Sequence, residues 1–192
     1  AHARCGARDE LDIRCDGARE LRDLACVRET CRACYAFEVA GTPEQTLALV
    51  SAATRREAAL VAARAGSPRM VATHDKLAAL IDATRALDSI GAPHALIGGV
   101  AVGIHSGVPR ATIDTDIAVD SRIARGTIIA AFENAGFRLV GEFAHSTNFR
   151  HADGEPIQLA FDSEFDAMIE RAESIDVGEH VVRIVSKEDL IR

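Results

Sequence analysis

Two stretches decide how this 192-residue chain reads: Leu96-Ile97-Gly98-Gly99-Val100-Ala101, and Arg110-Ala111-Thr112-Ile113-Asp114-Thr115-Asp116-Ile117-Ala118-Val119. In the first, an apolar run closes on two glycines. In the second, an apolar run carries two carboxylates at i and i+2. Side chains at i and i+2 of a strand share a face. Asp114 and Asp116 are therefore expected side by side, with Ile113, Thr115 and Ile117 on the opposite face. Asp is depleted in strands, and two like charges held close raise each other's pKa unless a cation sits between them. A hard divalent cation such as Mg²⁺ prefers oxygen ligands and brings bound phosphates with it. Gly98 and Gly99 are expected at a tight strand-to-helix turn, where backbone N–H groups approach a polyphosphate with no Cβ in the way. A phosphate cradle beside metal-binding carboxylates points to nucleotidyl transfer from an NTP.

The flanking pattern supplies a sheet for these two stretches. Leu77, Leu80, Ile81, Leu87 and Ile90 recur at helical spacing, and Gly91-Ala92-Pro93 stops that helix. A strand is expected over 94–97, a short helix over 99–105, the carboxylate strand over 112–119 and an amphipathic helix over 123–134. Strands follow over 137–143, 148–151 and 156–162, with Asp153-Gly154 read as a type I′ hairpin turn. A helix over 164–172, a last strand over 181–185 and a helix opening at Lys187 complete the order. This order predicts an α+β fold, with a mixed sheet covered by helices on one side.

Gly98-Gly99 followed by Arg110-x-Thr112-x-Asp114-x-Asp116 resembles the nucleotidyltransferase superfamily with the polymerase-β-like palm. Within it, the small bacterial proteins related to the AbiEii-type abortive-infection toxins are the nearest likeness. Asp153-Gly154-Glu155-Pro156-Ile157-Gln158-Leu159 and Ser186-Lys187-Glu188-Asp189-Leu190-Ile191 carry the resemblance further, so that it covers Met70 to Arg192. It implies Asp114 and Asp116 as catalytic residues and Mg²⁺ ligands, with Gly98, Gly99 and Arg110 as the nucleotide-binding set. Arg110 has two readings: a bidentate donor to the triphosphate, or an ion pair with the carboxylate cluster. Thr112 reads as the start of the strand, and His105, His145 and His151 receive no role. The acceptor hydroxyl is open among RNA, protein and small molecules, and a toxin–antitoxin setting implies an antitoxin partner.

The family places a third Asp on a later strand, to bind metal or deprotonate the attacking hydroxyl. Here Gln158 stands at that place. A glutamine accepts a bond through its carbonyl but is no base. Asp162 lies about 13 Å further along at strand rise, and Glu142 needs a register the sequence does not fix. A second reading follows, that of an impaired nucleotide-binding or interaction module that keeps the palm without the third acid.

Composition sets the remaining bounds. With 48% hydrophobic and 27% charged residues, the chain is globular in type. It contains no apolar run long enough to span a membrane and no signal pattern, so the expected location is the cytoplasm. Residues 1–69 hold 11 Arg, no Lys and 10 acids; residues 70–192 hold 11 bases and 19 acids. An acidic domain argues against non-specific nucleic-acid binding. All five cysteines fall in the first 35 residues, and Cys31-Arg32-Ala33-Cys34 with His2, Cys5 and Cys26 sketches a zinc knuckle. The second CxxC or CxxH pair such a site needs is missing. The expected division is a helical or irregular extension over 1–69, upstream of the natural product, and a transferase-like domain over 70–192, cut short at its C-terminus. Within the extension, Thr42-Pro43 opens a helix to about Ala65, ended by Gly66-Ser67-Pro68.

Overall fold

The computed structural model describes residues 41–64 and 75–191. The cysteines and His2, and with them the zinc-knuckle reading, lie outside the described residues, as does the segment around Met70. The first helix, α1 (Pro43–Arg64), starts as its sequence dictates. The Thr42 hydroxyl accepts the Gln45 N–H (3.4 Å) while the Gln45 side-chain Oε1 accepts the Thr42 N–H (3.0 Å), a reciprocal capping box. Helix α2 (Lys76–Ser89) is capped by Asp75, whose carboxylate accepts from Leu77 and Ala78.

Seven strands then form one mixed sheet in the order β3-β4-β5-β2-β1-β7-β6. They are β1 (His94–Ile97), β2 (Thr115–Val119), β3 (Arg138–Glu142), β4 (Ser146–Arg150), β5 (Pro156–Ala160), β6 (Glu173–Val177) and β7 (His180–Ile184). The β2–β5 and β1–β7 pairs are parallel; the others are antiparallel. Between them run α3 (Gly98–Ser106), α4 (Arg125–Asn134), α5 (Asp166–Glu170, entered through a 3₁₀ turn at Ser163–Phe165) and α6 (Lys187–Leu190). The fold class is the expected one, a mixed sheet with helices packed on it.

Strand alternation sorts the side chains. Ile117, Leu159, Phe149, Ile157 and Leu96 point to one face and join Leu47, Leu80, Leu87, Ile128 and Phe132 in the main core. Leu47 and Val50 of α1 are fully buried, so this helix, although it precedes Met70, belongs to the packed body. Its Glu44 carboxylate also takes the Gly178 N–H in the β6–β7 turn. The opposite face is covered over one part only: Ala95 and Ala118 meet Ile169 and Val185, with Phe165, Met168 and Leu190 against them. The sheet thus carries helices on both faces, not one, and among the described residues the second cover stops short of β4 and β5.

Four local expectations are corrected. The carboxylate strand begins at Thr115 instead of Thr112, because residues 113–114 form a bend. Ile113 is accordingly 79% exposed and does not share the core face of Thr115 and Ile117. The β4–β5 connection spans 151–155: the Gly154 N–H bonds the His151 carbonyl and the His151 N–H bonds that of Glu155, so Asp153-Gly154 ends a wider turn and does not make a two-residue one. The 164–172 helix is a 3₁₀ turn followed by a shorter α-helix. Strand β6 went unread although Glu173-Ser174-Ile175-Asp176-Val177 alternates and Gly178, at φ +62°, supplies the positive φ of a tight hairpin.

Candidate active site

Gly98 is the first residue of α3 and has φ +68°, a conformation that L side chains rarely adopt. A Cβ built there would lie 2.2 Å from Asp116 Oδ2. Ile97 pairs with Asp116 across β1–β2, which brings the glycine turn onto the carboxylate. At Gly99 a Cβ would lie 2.9 Å from Thr112 Oγ1. Both glycines are therefore demanded by close approach. The N-cap residue, Ile97, offers no side-chain acceptor to the first N–H groups of α3, which leaves them available to an anion.

Sheet register sets what stands beside Asp116. It pairs with Gln158 of β5, and Gln158 pairs with Asn148 of β4. In-register neighbours share a face, so one row reads Asp116, Gln158, Asn148. Gln158 holds the place where a third carboxylate is expected. Asp162 is remote from this row: it caps the 3₁₀ turn through the Glu164 N–H and lies 3.4 Å from His145 Nδ1. Glu142 pairs with Thr147, outside the row. Among the described residues, no group of three or more His, Cys, Asp or Glu side chains comes together to hold a metal.

Asp114 lies in the bend just ahead of β2 and borders the same cavity as Gln158 and Asn148. Burial pushes the Asp116 carboxyl up to about 6; the charge of Asp114 adds to this and Lys76 opposes it. A pair of carboxylates, with a triphosphate and water completing the shell, would suit Mg²⁺.

What holds the bend went unread in the sequence. The Lys76 ammonium, with its side chain only 1% exposed, is paired with the buried Glu155 and donates to the Ile113 carbonyl (3.3 Å). The Thr115 hydroxyl donates to the same Glu155 carboxylate (3.2 Å). Lys76 and Glu155 thus grip both residues that flank Asp114. On the other side, the Thr54 hydroxyl of α1 donates to the Thr112 carbonyl (3.0 Å) and accepts the Thr112 N–H (3.2 Å). Thr112 donates in turn to the Asp114 carbonyl (3.3 Å), so it latches the bend in addition to leading into the strand. The one local signal was Asp153-Gly154-Glu155, since Lys76, 79 positions away from Glu155, is one of two lysines that open helices. Arg110 is exposed in the α3–β2 loop and forms no hydrogen bond or ion pair among the described residues. The histidines have structural partners: His105 meets the Val185 carbonyl (2.7 Å), and His151 lies between Asp82 (3.0 Å) and Asp153 (2.9 Å).

No family model matches the chain, and no curated protein does. Among solved structures it is similar to ANT(2″)-Ia in complex with adenylyl-2″-tobramycin, at 20% identity and TM-score 0.47 over 62% of this chain and 73% of that one. It is similar to the lincosamide antibiotic adenylyltransferase LnuA in its lincomycin-bound form, at 16% identity and TM-score 0.47 over 62% and 84%. It is also similar to an antigenic nucleotidyltransferase-like protein from Paracoccidioides brasiliensis, at 22% identity and TM-score 0.41 over 61% and 63%.

Proposed function

We propose that the chain is a Mg²⁺-dependent nucleotidyltransferase of the polymerase-β-like superfamily, which transfers a nucleoside monophosphate from NTP to an acceptor hydroxyl. The observation that carries this reading is the approach of the Gly98 backbone to the Asp116 carboxylate. Gly98 and Gly99 donate backbone N–H bonds to the triphosphate. Asp114 and Asp116 hold the metal, which when bound neutralises phosphate charge. The acceptor oxygen bonds to the α-phosphorus, the bond to the bridging oxygen breaks, and pyrophosphate leaves with the electron pair. The hydroxyl proton passes to water, since Gln158 cannot take it.

The experiment is label transfer from α-labelled NTP, with Mg²⁺ and a panel of acceptors, by wild-type protein and Asp114→Asn. Labelled acceptor from the wild type alone is the expected result; none from either protein, in the absence of metal-dependent NTP binding, overturns the reading. Gln158 beside Asp116 favours a second reading, a module that binds nucleotide without transferring it. Metal-dependent NTP binding without transfer, with transfer gained in Gln158→Asp, is its signature. The toxin role, an antitoxin partner and a cytoplasmic location rest on the resemblance and composition alone. Growth arrest on induction, absent with Asp114→Asn, tests the first of these.

A further inference from the structure

The part of the second sheet face that no described residue covers continues past the catalytic row. Arg150 stands two residues from Asn148 on β4 and so shares its face, and it is paired directly with Arg138 of edge strand β3. Like charges opposed on neighbouring strands repel. Among the described residues neither arginine forms an ion pair, and the one bond Arg150 makes is to the Gly154 carbonyl (2.9 Å). Beside them is a cavity of about 90 Å³ lined by Asp114, Val140, Asn148, Arg150, Pro156 and Gln158. The Asn148 Oδ1 atom is enclosed and has no hydrogen-bond partner, which is costly unless a ligand supplies a donor. The Arg150 guanidinium, an orphaned amide oxygen and the Asp114 carboxylate therefore border one space, and Arg138, paired with Arg150, stands next to it.

We propose that this flank is the acceptor subsite, and that it takes a small hydroxylated compound bearing one phosphate or carboxylate group. The proposal rests on the transfer reading above. Asn148 and Gln158 accept from and donate to the hydroxyl, while the two guanidiniums take the anion as forked donors. Strands lie about 4.8 Å apart, which puts β4 about 10 Å from β2; side-chain reach then fits a hydroxyl and an anion a few bonds apart. A long polyanion needs an extended cationic surface, whereas this is an isolated pair on a chain of formal charge −7. A polycation would meet Arg138 and Arg150 at the same place and be repelled.

The test is an amide NMR titration of the full chain with glycerol 3-phosphate, with glycerol and inorganic phosphate as controls. Saturable shifts at Asn148, Arg150 and Gln158 are expected with glycerol 3-phosphate and none with glycerol. Arg138→Gln/Arg150→Gln is expected to weaken binding about tenfold or more. Asn148→Ala is expected to weaken glycerol 3-phosphate more than inorganic phosphate. An equal response to glycerol, undiminished binding by the double variant, or tighter binding of a single-stranded oligonucleotide at these residues would each overturn the proposal. Mg²⁺–ATP binding is followed on the same samples. Glycerol 3-phosphate binding without ATP binding overturns the transfer reading and the acceptor role with it, but supports the anion site.

Discussion

The two faces of β2, β4 and β5 contrast sharply in what they carry. On one face, Ile117, Phe149 and Leu159 are shut into the main core. On the other, one residue away along the same strands, Asp116, Asn148 and Gln158 line an open row. The same backbone supports both, so a substitution's consequence depends on its parity along the strand. Core-face changes are expected to cost stability; open-face changes are expected to cost chemistry and spare the fold.

The sharpest way to break that contrast is Asp116→Asn. Label transfer is expected to fall about a hundredfold or more, with the thermal midpoint at neutral pH no lower than that of the wild type; a variant that unfolds instead would erase the distinction. Lys76→Met comes next, because it strands a buried Glu155 charge: about 3–5 kcal/mol of stability should be lost, as denaturant melts would show. Lys76→Met/Glu155→Leu should recover most of that stability while metal-dependent NTP binding stays impaired, since the grip on Ile113 is gone. Leu159→Ala should destabilise by about 2–5 kcal/mol, with NTP affinity per folded molecule unchanged. The smallest effect is that of pH. The raised Asp116 pKa stabilises the folded state fully below the ordinary value of 3.8, and this contribution is lost as pH rises through about 6. Asp116→Asn should flatten that slope between about pH 4 and 6 and leave the variant more stable than wild type above it. Mg²⁺-dependent NTP binding by the wild type should weaken below about pH 6.

The comparison also shows what a sequence can convey. Alternation at Thr115-Asp116-Ile117 and the glycine at position 98 made Asp116 and its turn legible, because strand parity and the need for φ > 0 are local rules. Gln158 could be assigned to the third place from resemblance, and register then set it beside Asp116. The bend at Ile113–Asp114 was illegible. It depends on Lys76 and Glu155, 79 positions apart, meeting in a buried pair, and on Thr54 reaching Thr112 from 58 positions away. The Arg138–Arg150 pairing was hidden for the same reason, since a register shift lies between Leu139 and Gly141. Strand β6 was missed for a different cause: a local signal was present, but its mostly exposed face supplies little hydrophobic contrast.

The Thr54 hydroxyl has a practical consequence for anyone trimming this chain. A version begun at Met70 would retain Gly98, Gly99, Arg110, Asp114, Asp116 and Gln158, yet its Thr112 would face solvent where a helix once held it. Such a shortened protein should bind triphosphate poorly despite an intact set of liganding groups, and supplying residues 41–64 as a separate peptide should restore part of the affinity.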